Sequence, residues 1–129
     1  MIGPSADLKL TAYRIGGEPS PPAGALRIAA VRLPPRGVPR SKFPQLFDVR
    51  FPLLSPSREL LSWWRSKPPS EPRFREFTRR YHKEMAREEP RQAIELIAAT
   101  ARRMPVALGC YCETEQCHRF LLEKLIRQV

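Results

Sequence analysis

The 129-residue sequence contains no asparagine and only three cysteines, and its acidic residues are outnumbered. No apolar run approaches the roughly 20 residues that cross a bilayer, so we expect no membrane span. Residues 1–7 carry neither a basic nor an apolar stretch, so we expect no signal peptide and a cytoplasmic location. The missing amide residue and the 15 prolines suit a heat-adapted protein, but a GC-rich genome would produce the same bias.

The shortage of acidic residues makes the chain strongly basic. It has 13 aspartates and glutamates against 23 lysines and arginines, which gives a formal net charge of +10. A field of this sign attracts polyanions, so nucleic acid is one predicted partner. Charge alone supplies affinity without chemistry, so it identifies no reaction.

The pattern of apolar residues predicts one α/β domain over residues 1–129. Predicted strands cover 8–15, 26–33, 47–51 and 106–110, and predicted helices begin at Ser55 or Ser57, at Ser70, at Pro90, and near Glu115 with Thr114 as N-cap. This alternation indicates a mainly parallel sheet sandwiched by helices, a three-layer arrangement of the Rossmann type. Residues 1–6 are expected to be a loose start. The proline-rich basic segment 34–42 is expected to be an irregular loop.

All three cysteines fall within eight residues near the C-terminus. An odd number of cysteines in one short segment argues against a secreted protein stabilised by several disulfides. Cys110 ends the last predicted strand, Cys112 follows in a polar turn, and Cys117 and His118 precede Arg119 at the last helix. Cys117 and His118 stand one turn before the apolar face of that helix, so we expect them to point inward. A helix N-terminus attracts anions and lowers the pKa of a nearby thiol.

Four interpretations of this stretch stay open. One is an anion or nucleotide pocket, in which Arg119 holds a phosphate or carboxylate and Cys117 or His118 does chemistry. Another is a zinc site formed by Cys110, Cys112, Cys117 and His118, although adjacent Cys and His rarely both reach one ion. A third is a redox pair of Cys112 and Cys117. In the last, the cysteines are small buried apolar residues and Arg119 binds backbone carbonyls.

Several segments, taken in order, resemble the domain of unknown function 488 family, in particular its YeaO-like branch. The segments are Tyr13–Ile15, Val31–Val38, Ser55–Leu60 with Trp63, Phe77–Met85, and Cys110 with Cys117–Arg119. The resemblance implies a compact α/β domain with its site at the Cys-His-Arg motif, and it implies no reaction. The branch usually has an Asp where this chain has Val31. It often has a Gly-His pair where this chain has the segment that begins with Arg65.

From the motif and the predicted strand ends we expect one polar pocket. Arg32 and Arg36 follow one strand end and are expected to face Cys117, His118 and Arg119 at the other. If the protein is an enzyme, Cys117 is the predicted nucleophile and His118 the acid or base, and the arginines hold negative charge. Further supporting residues are Cys110, Tyr81 and Glu84.

The expected partner is an anionic small molecule such as a phosphorylated metabolite or a nucleotide, and no membrane is expected to be involved. Zinc is the one cofactor considered. The alternative is a basic module that binds nucleic acid without catalysis.

Overall fold

A computed structural model describes residues 8–129 and contains one parallel sheet of four strands. The strands are β1 (Leu10–Arg14), β2 (Leu26–Ala29), β3 (Val49–Arg50) and β4 (Val106–Cys110). Their order across the sheet is β1-β4-β2-β3, and each neighbouring pair is parallel. The predicted α/β fold with a mainly parallel sheet is therefore confirmed. The expected loose start of residues 1–6 lies outside the described residues.

Residues 8–129 form four α-helices, three between β3 and β4 and one after β4, so strands and helices do not alternate regularly as the sequence predicts. The helices are α1 (Arg58–Arg65), α2 (Glu71–Met85), α3 (Glu88–Ala101) and α4 (His118–Arg127). Serine hydroxyls cap the first two, because Ser57 accepts from the Leu60 N–H at 3.1 Å and Ser70 from the Arg73 N–H at 3.3 Å. No helix within residues 8–129 has both the length and the apolar character needed to span a bilayer.

The sheet has a core on each face, because side chains along a strand alternate between its two sides. On one face, Ile28 and Leu108 belong to a large buried cluster that also takes residues from all four α-helices. On the other face, Tyr13 and Ala107 pack with Phe47 in a smaller cluster. A 3-10 helix (Arg40–Gln45) packs against this smaller cluster through Phe43. All five residues of β4 are buried, as expected for a strand between two neighbours.

Two local predictions are wrong. Segment 34–42 is not irregular throughout, because the 3-10 helix begins at Arg40 and tolerates Pro44 within it. The last helix begins at His118, and Cys117 rather than Thr114 stands at its N-cap. The backbone of Cys117 is extended, with φ −141° and ψ 142°, so no helix can continue through it from Glu115.

The carboxyl ends of β2 and β4 lie side by side. Ala29 pairs with Gly109, and the Ala30 N–H donates to the Gly109 carbonyl at 2.9 Å. The chain then leaves both strands as polar loops at one edge of the sheet. Ligands of parallel α/β sheets bind at such an edge, so this is where the predicted site residues should meet.

Candidate functional site

Four side chains at this edge form a group that we call the thiol cluster: Cys110, Cys112, Cys117 and His118. The Sγ atoms of Cys110 and Cys112 lie 3.5 Å apart. His118 Nδ1 lies 3.9 Å from the Sγ of Cys110 and 3.9 Å from the Sγ of Cys117. The three thiols are free, and Cys110, Cys117 and His118 are buried with their potential ligand atoms within 4.8 Å of one another.

A backbone contact fixes the orientation of the His118 ring. Nε2 lies 2.5 Å from the carbonyl oxygen of Ala30, so we assign the ring proton to Nε2. The lone pair of Nδ1 is then directed at the sulfur atoms. Burial lowers the pKa of His118, which favours the neutral ring. The ring also packs edge-on against Tyr81, with centroids 5.7 Å apart.

The three thiols differ in acidity because they hydrogen-bond to one another. The contact with Cys110 lowers the pKa of Cys112, and the positive charge of Arg119 acts in the same direction. The same contact raises the pKa of Cys110 to about 11. Its thiol contacts also raise the pKa of Cys117. These contacts therefore favour Cys112 as the first of the three thiols to ionise.

Arg119 is a buried cation next to the thiol cluster. Its side chain is 3% exposed, and its Nη1 donates to the carbonyl oxygens of Cys110 at 3.3 Å and Cys112 at 2.9 Å. The guanidinium also stacks on the Phe120 ring at 4.7 Å. Within residues 8–129 it makes no ion pair with a carboxylate. Its position matches the interpretation in which Arg119 binds backbone carbonyls.

A cavity of about 660 Å³ opens directly above the thiol cluster. We call it the arginine cavity, because three arginines line it and no acidic side chain of the described chain does. The lining residues are Val31, Arg32, Leu33, Ser55, Arg58, Leu61, Ser62, Arg65, Ser66, Cys110, Tyr111, Cys112 and His118. Its volume lies within the range of small-molecule sites, roughly 300–1,000 Å³. The arrangement can hold an anion of small-molecule size.

Hydrogen bonds between the loops fix the walls of the arginine cavity. The Arg32 Nη2 donates to the carbonyl oxygens of Ser55 at 3.3 Å and Pro56 at 3.1 Å. The Tyr111 hydroxyl donates to the Leu33 carbonyl at 2.9 Å, which ties the loop after β4 to the loop after β2. These contacts join three segments that are distant in sequence into one wall.

Tyr81 and Glu84, which the sequence suggests as supporting residues, hold the cavity wall from behind. The Tyr81 hydroxyl donates to the Leu54 carbonyl at 2.7 Å. The Glu84 carboxylate accepts from the Ser57 N–H at 2.9 Å and from the Ser57 hydroxyl at 2.5 Å. Neither is among the residues that line the cavity, so both act on the position of the segment that leads into α1.

Only some of the other predicted site residues line the arginine cavity. Arg32, Cys110 and His118 line the arginine cavity, but Arg36 and Arg119 are not among its lining residues. Arg36 lies in the loop after β2 with its side chain exposed. Cys117, the predicted nucleophile, is 2% exposed and is buried behind the cavity wall.

Sequence reasoning missed the contribution of α1 to the site. Arg58, Leu61, Ser62 and Arg65 all line the cavity, and their spacing of three and four residues places them on one helix face. Three of these four residues are polar, and this polar face of the predicted helix is a sequence pattern that could have indicated the site. The pattern does not identify the loops that this face of α1 contacts, because those loops are distant in sequence.

Comparison with known proteins bears on all of these residues. No curated protein and no solved structure matches the chain. A family model, DUF488-N3a, described as the active DUF488-N3 subclade, matches residues 10–129. The match includes the thiol cluster and every residue that lines the arginine cavity, while the YeaO-like branch stays a prediction. The chain therefore belongs to the DUF488 family.

Proposed function

We propose that the protein binds a small anionic ligand, such as a phosphorylated metabolite or a nucleotide, in the arginine cavity. The observation that carries the proposal is the placement of Arg32, Arg58 and Arg65 around one cavity whose lining, in the described chain, includes no acidic side chain. Guanidinium groups bind phosphate and carboxylate through paired, charge-assisted hydrogen bonds. An anionic ligand would thus be attracted and oriented.

The three arginines would contribute differently. Arg32 is held by the Ser55 and Pro56 carbonyls, so its charge has a fixed position. Arg58 and Arg65 are exposed, and neither makes an ion pair within the described residues. Their guanidinium groups are therefore available to a ligand without first breaking an ion pair. Binding is the part of the proposal that the geometry supports best, because the predicted nucleophile Cys117 does not line the cavity.

Isothermal titration with pyrophosphate and with AMP, at constant ionic strength, tests this proposal. Each of Arg58→Ala and Arg65→Ala should weaken binding about tenfold, because hydrogen bonds to charged groups contribute about 1.5–3 kcal/mol. Arg75→Ala is the matched control, since Arg75 is an exposed cation on α2 that does not line the cavity. Equal losses in all three variants would show unspecific charge attraction. Absence of binding to both probes would refute the proposal.

A second candidate is a basic module that binds nucleic acid without catalysis. A second groove supports it, because Arg79, Arg80, Lys83 and Arg87 line that groove together with only two acidic side chains, Glu59 and Glu84. Glu76 weighs against it, because its carboxylate pairs with both Arg79 and Arg80 at 2.7 Å. If this candidate is correct, affinity for unrelated DNA and RNA should fall steeply with salt and should persist in Arg58→Ala. Affinity that is insensitive to salt would exclude it.

A further inference from the structure

We propose that the thiol cluster is a zinc site, in which one Zn²⁺ is bound by the Sγ atoms of Cys110, Cys112 and Cys117 and by Nδ1 of His118. The inference is independent of the proposed function, because it concerns thiol and imidazole side chains rather than the arginines that line the cavity. Three thiolates and one imidazole are a donor set that suits zinc.

The distances within the cluster fit a tetrahedral ion. With Zn–S near 2.3 Å and Zn–N near 2.0 Å, the edges of the ligand tetrahedron measure about 3.5–3.8 Å. The three observed edges are 3.5 Å between the sulfurs of Cys110 and Cys112, and 3.9 Å from His118 Nδ1 to the sulfurs of Cys110 and Cys117. The ligand atoms of Cys110, Cys117 and His118 lie within 4.8 Å of one another, so these three donors can close around an ion. Cys112 lies outside that group, and its side chain would have to move toward the other two ligands to complete the tetrahedron.

The backbone explains how adjacent residues can both reach one ion. Cys117 stands at the N-cap of α4 in an extended conformation, whereas His118 is the first helical residue. The change of backbone direction between them lets the two side chains approach each other and Cys110, since His118 Nδ1 lies 3.9 Å from the sulfurs of both Cys117 and Cys110. The sequence-based objection to neighbouring Cys and His ligands therefore does not apply at this helix start.

The second contact of the His118 ring also fits a metal ligand. Metal-bound histidines almost always donate their other ring N–H to a carbonyl, a carboxylate or a water. Here Nε2 faces the Ala30 carbonyl at 2.5 Å, which leaves Nδ1 toward the sulfurs. The strand end of β2 thus orients the imidazole before any ion arrives.

Arg119 supplies an independent indication of negative charge in the cluster. A buried cation is costly unless an anion lies nearby, and within residues 8–129 Arg119 has no carboxylate partner. Zn²⁺ with three thiolates and a neutral imidazole carries a net charge of −1. Arg119, bonded to the carbonyls of Cys110 and Cys112, would offset that charge.

Metal binding would release to solvent every proton that the three thiols carry, and the four donors and the ion would keep their redox states. Four protein ligands leave no open coordination position, which is typical of a structural site. The ion would then join the end of β4 to the start of α4 and fix the turn between them. Because Cys110, Cys112 and His118 line the arginine cavity, the same ion would stabilise part of its wall.

The experiment uses the full chain, reduced and loaded with Zn²⁺, then desalted for elemental analysis. We expect one zinc per chain. Titration with Co²⁺ as a spectroscopic probe should give a thiolate-to-cobalt charge-transfer band and the visible bands of a tetrahedral ion. Cys112→Ser and His118→Ala should each weaken Co²⁺ binding at least tenfold, while Ser62→Ala, which alters the cavity but no donor, should leave it unchanged.

Several results would overturn the proposal. One is a desalted protein in which elemental analysis finds no zinc. Another is a weak cobalt spectrum typical of an octahedral ion. The third is an affinity for cobalt that is equal in the wild type and in His118→Ala. If the variants do not fold, the zinc content and cobalt spectrum of the wild type still decide the matter. Titration of the same preparations with pyrophosphate separates the two proposals, because a chain that retains zinc but binds no pyrophosphate refutes only the anion site.

Discussion

Gly109 of β4 lies directly against the aromatic ring of Tyr13 on β1, and a Cβ atom built at Gly109 would stand 2.5 Å from the Tyr13 Cζ. No real Cβ contact is so short, so Gly109→Ala must displace a fully buried tyrosine. Overpacking of a core commonly costs about 1–3 kcal/mol. We expect a loss of that size in the free energy of unfolding, measured by urea denaturation.

A double variant provides the control for this clash. In a Tyr13→Leu background, the alanine at position 109 has no ring to displace, so its destabilising effect should shrink. If Gly109→Ala costs the same free energy in both backgrounds, the Tyr13 ring is not the cause.

Ser57 should matter more for stability than Ser70, although both cap a helix. Loss of an N-cap hydroxyl costs about 1 kcal/mol, and Ser57→Ala also removes a donor from the half-buried Glu84 carboxylate. We expect about 2 kcal/mol for Ser57→Ala and about 1 kcal/mol or less for the exposed cap Ser70→Ala, from urea midpoints. Equal effects would mean that the contact between Ser57 and Glu84 adds nothing.

Tyr81→Phe should destabilise the protein through a single lost hydroxyl. It leaves the buried Leu54 carbonyl without its donor, and an unsatisfied buried polar group costs about 1–3 kcal/mol. Tyr111→Phe is the matched control, because the Leu33 carbonyl that it leaves belongs to an exposed residue and can bond to water. A larger loss for Tyr111→Phe, measured by thermal unfolding, would contradict this explanation.

The pair of Asp48 and Arg27 should make stability dependent on acid pH. The hydrogen bond from Arg27 holds the pKa of Asp48 below its ordinary value of 3.8. A carboxyl group with a depressed pKa adds stability at pH values above the ordinary pKa, and this is lost as pH falls through the folded-state pKa. The stability difference between the wild type and Asp48→Asn should therefore be constant near neutrality and narrow below about pH 4.

The size of this pH effect should be small, because the Asp48 side chain is 40% exposed and solvent screens the pair. Added salt should reduce the difference further. A difference that grows on acidification would have the wrong sign for a depressed carboxyl pKa.

Much of the fold could be predicted because periodicity encodes burial. The β4 strand and the inward placement of Cys117 and His118 follow from apolar runs whose spacing matches one structure. The conformation of the turn between Cys110 and Cys117 could not be predicted in this way, since turn residues bury no regular face. For that reason the contact between the sulfurs of Cys112 and Cys110 could not be predicted from the sequence.

The sequence also could not predict which arginines line the cavity. A guanidinium at a helix start can face a ligand or bond to backbone carbonyls, and only the three-dimensional path of the chain decides between these. Arg119 bonds to the Cys110 and Cys112 carbonyls, whereas Arg58 and Arg65, which were not among the predicted site residues, line the cavity. Motifs located the site, but they did not identify which cations surround it.

The order of the strands has a consequence for synthesis of the protein. β4 lies between β1 and β2, so the two strands that leave the ribosome first pair with a segment that is translated much later. Until residues 106–110 emerge, β1 has no partner in the described sheet, and the edge of β2 that β4 will occupy is open. Such non-local pairing is slow and exposes apolar strands during elongation. A nascent chain stalled before β4 should therefore be bound by chaperones, and release past β4 should end that binding.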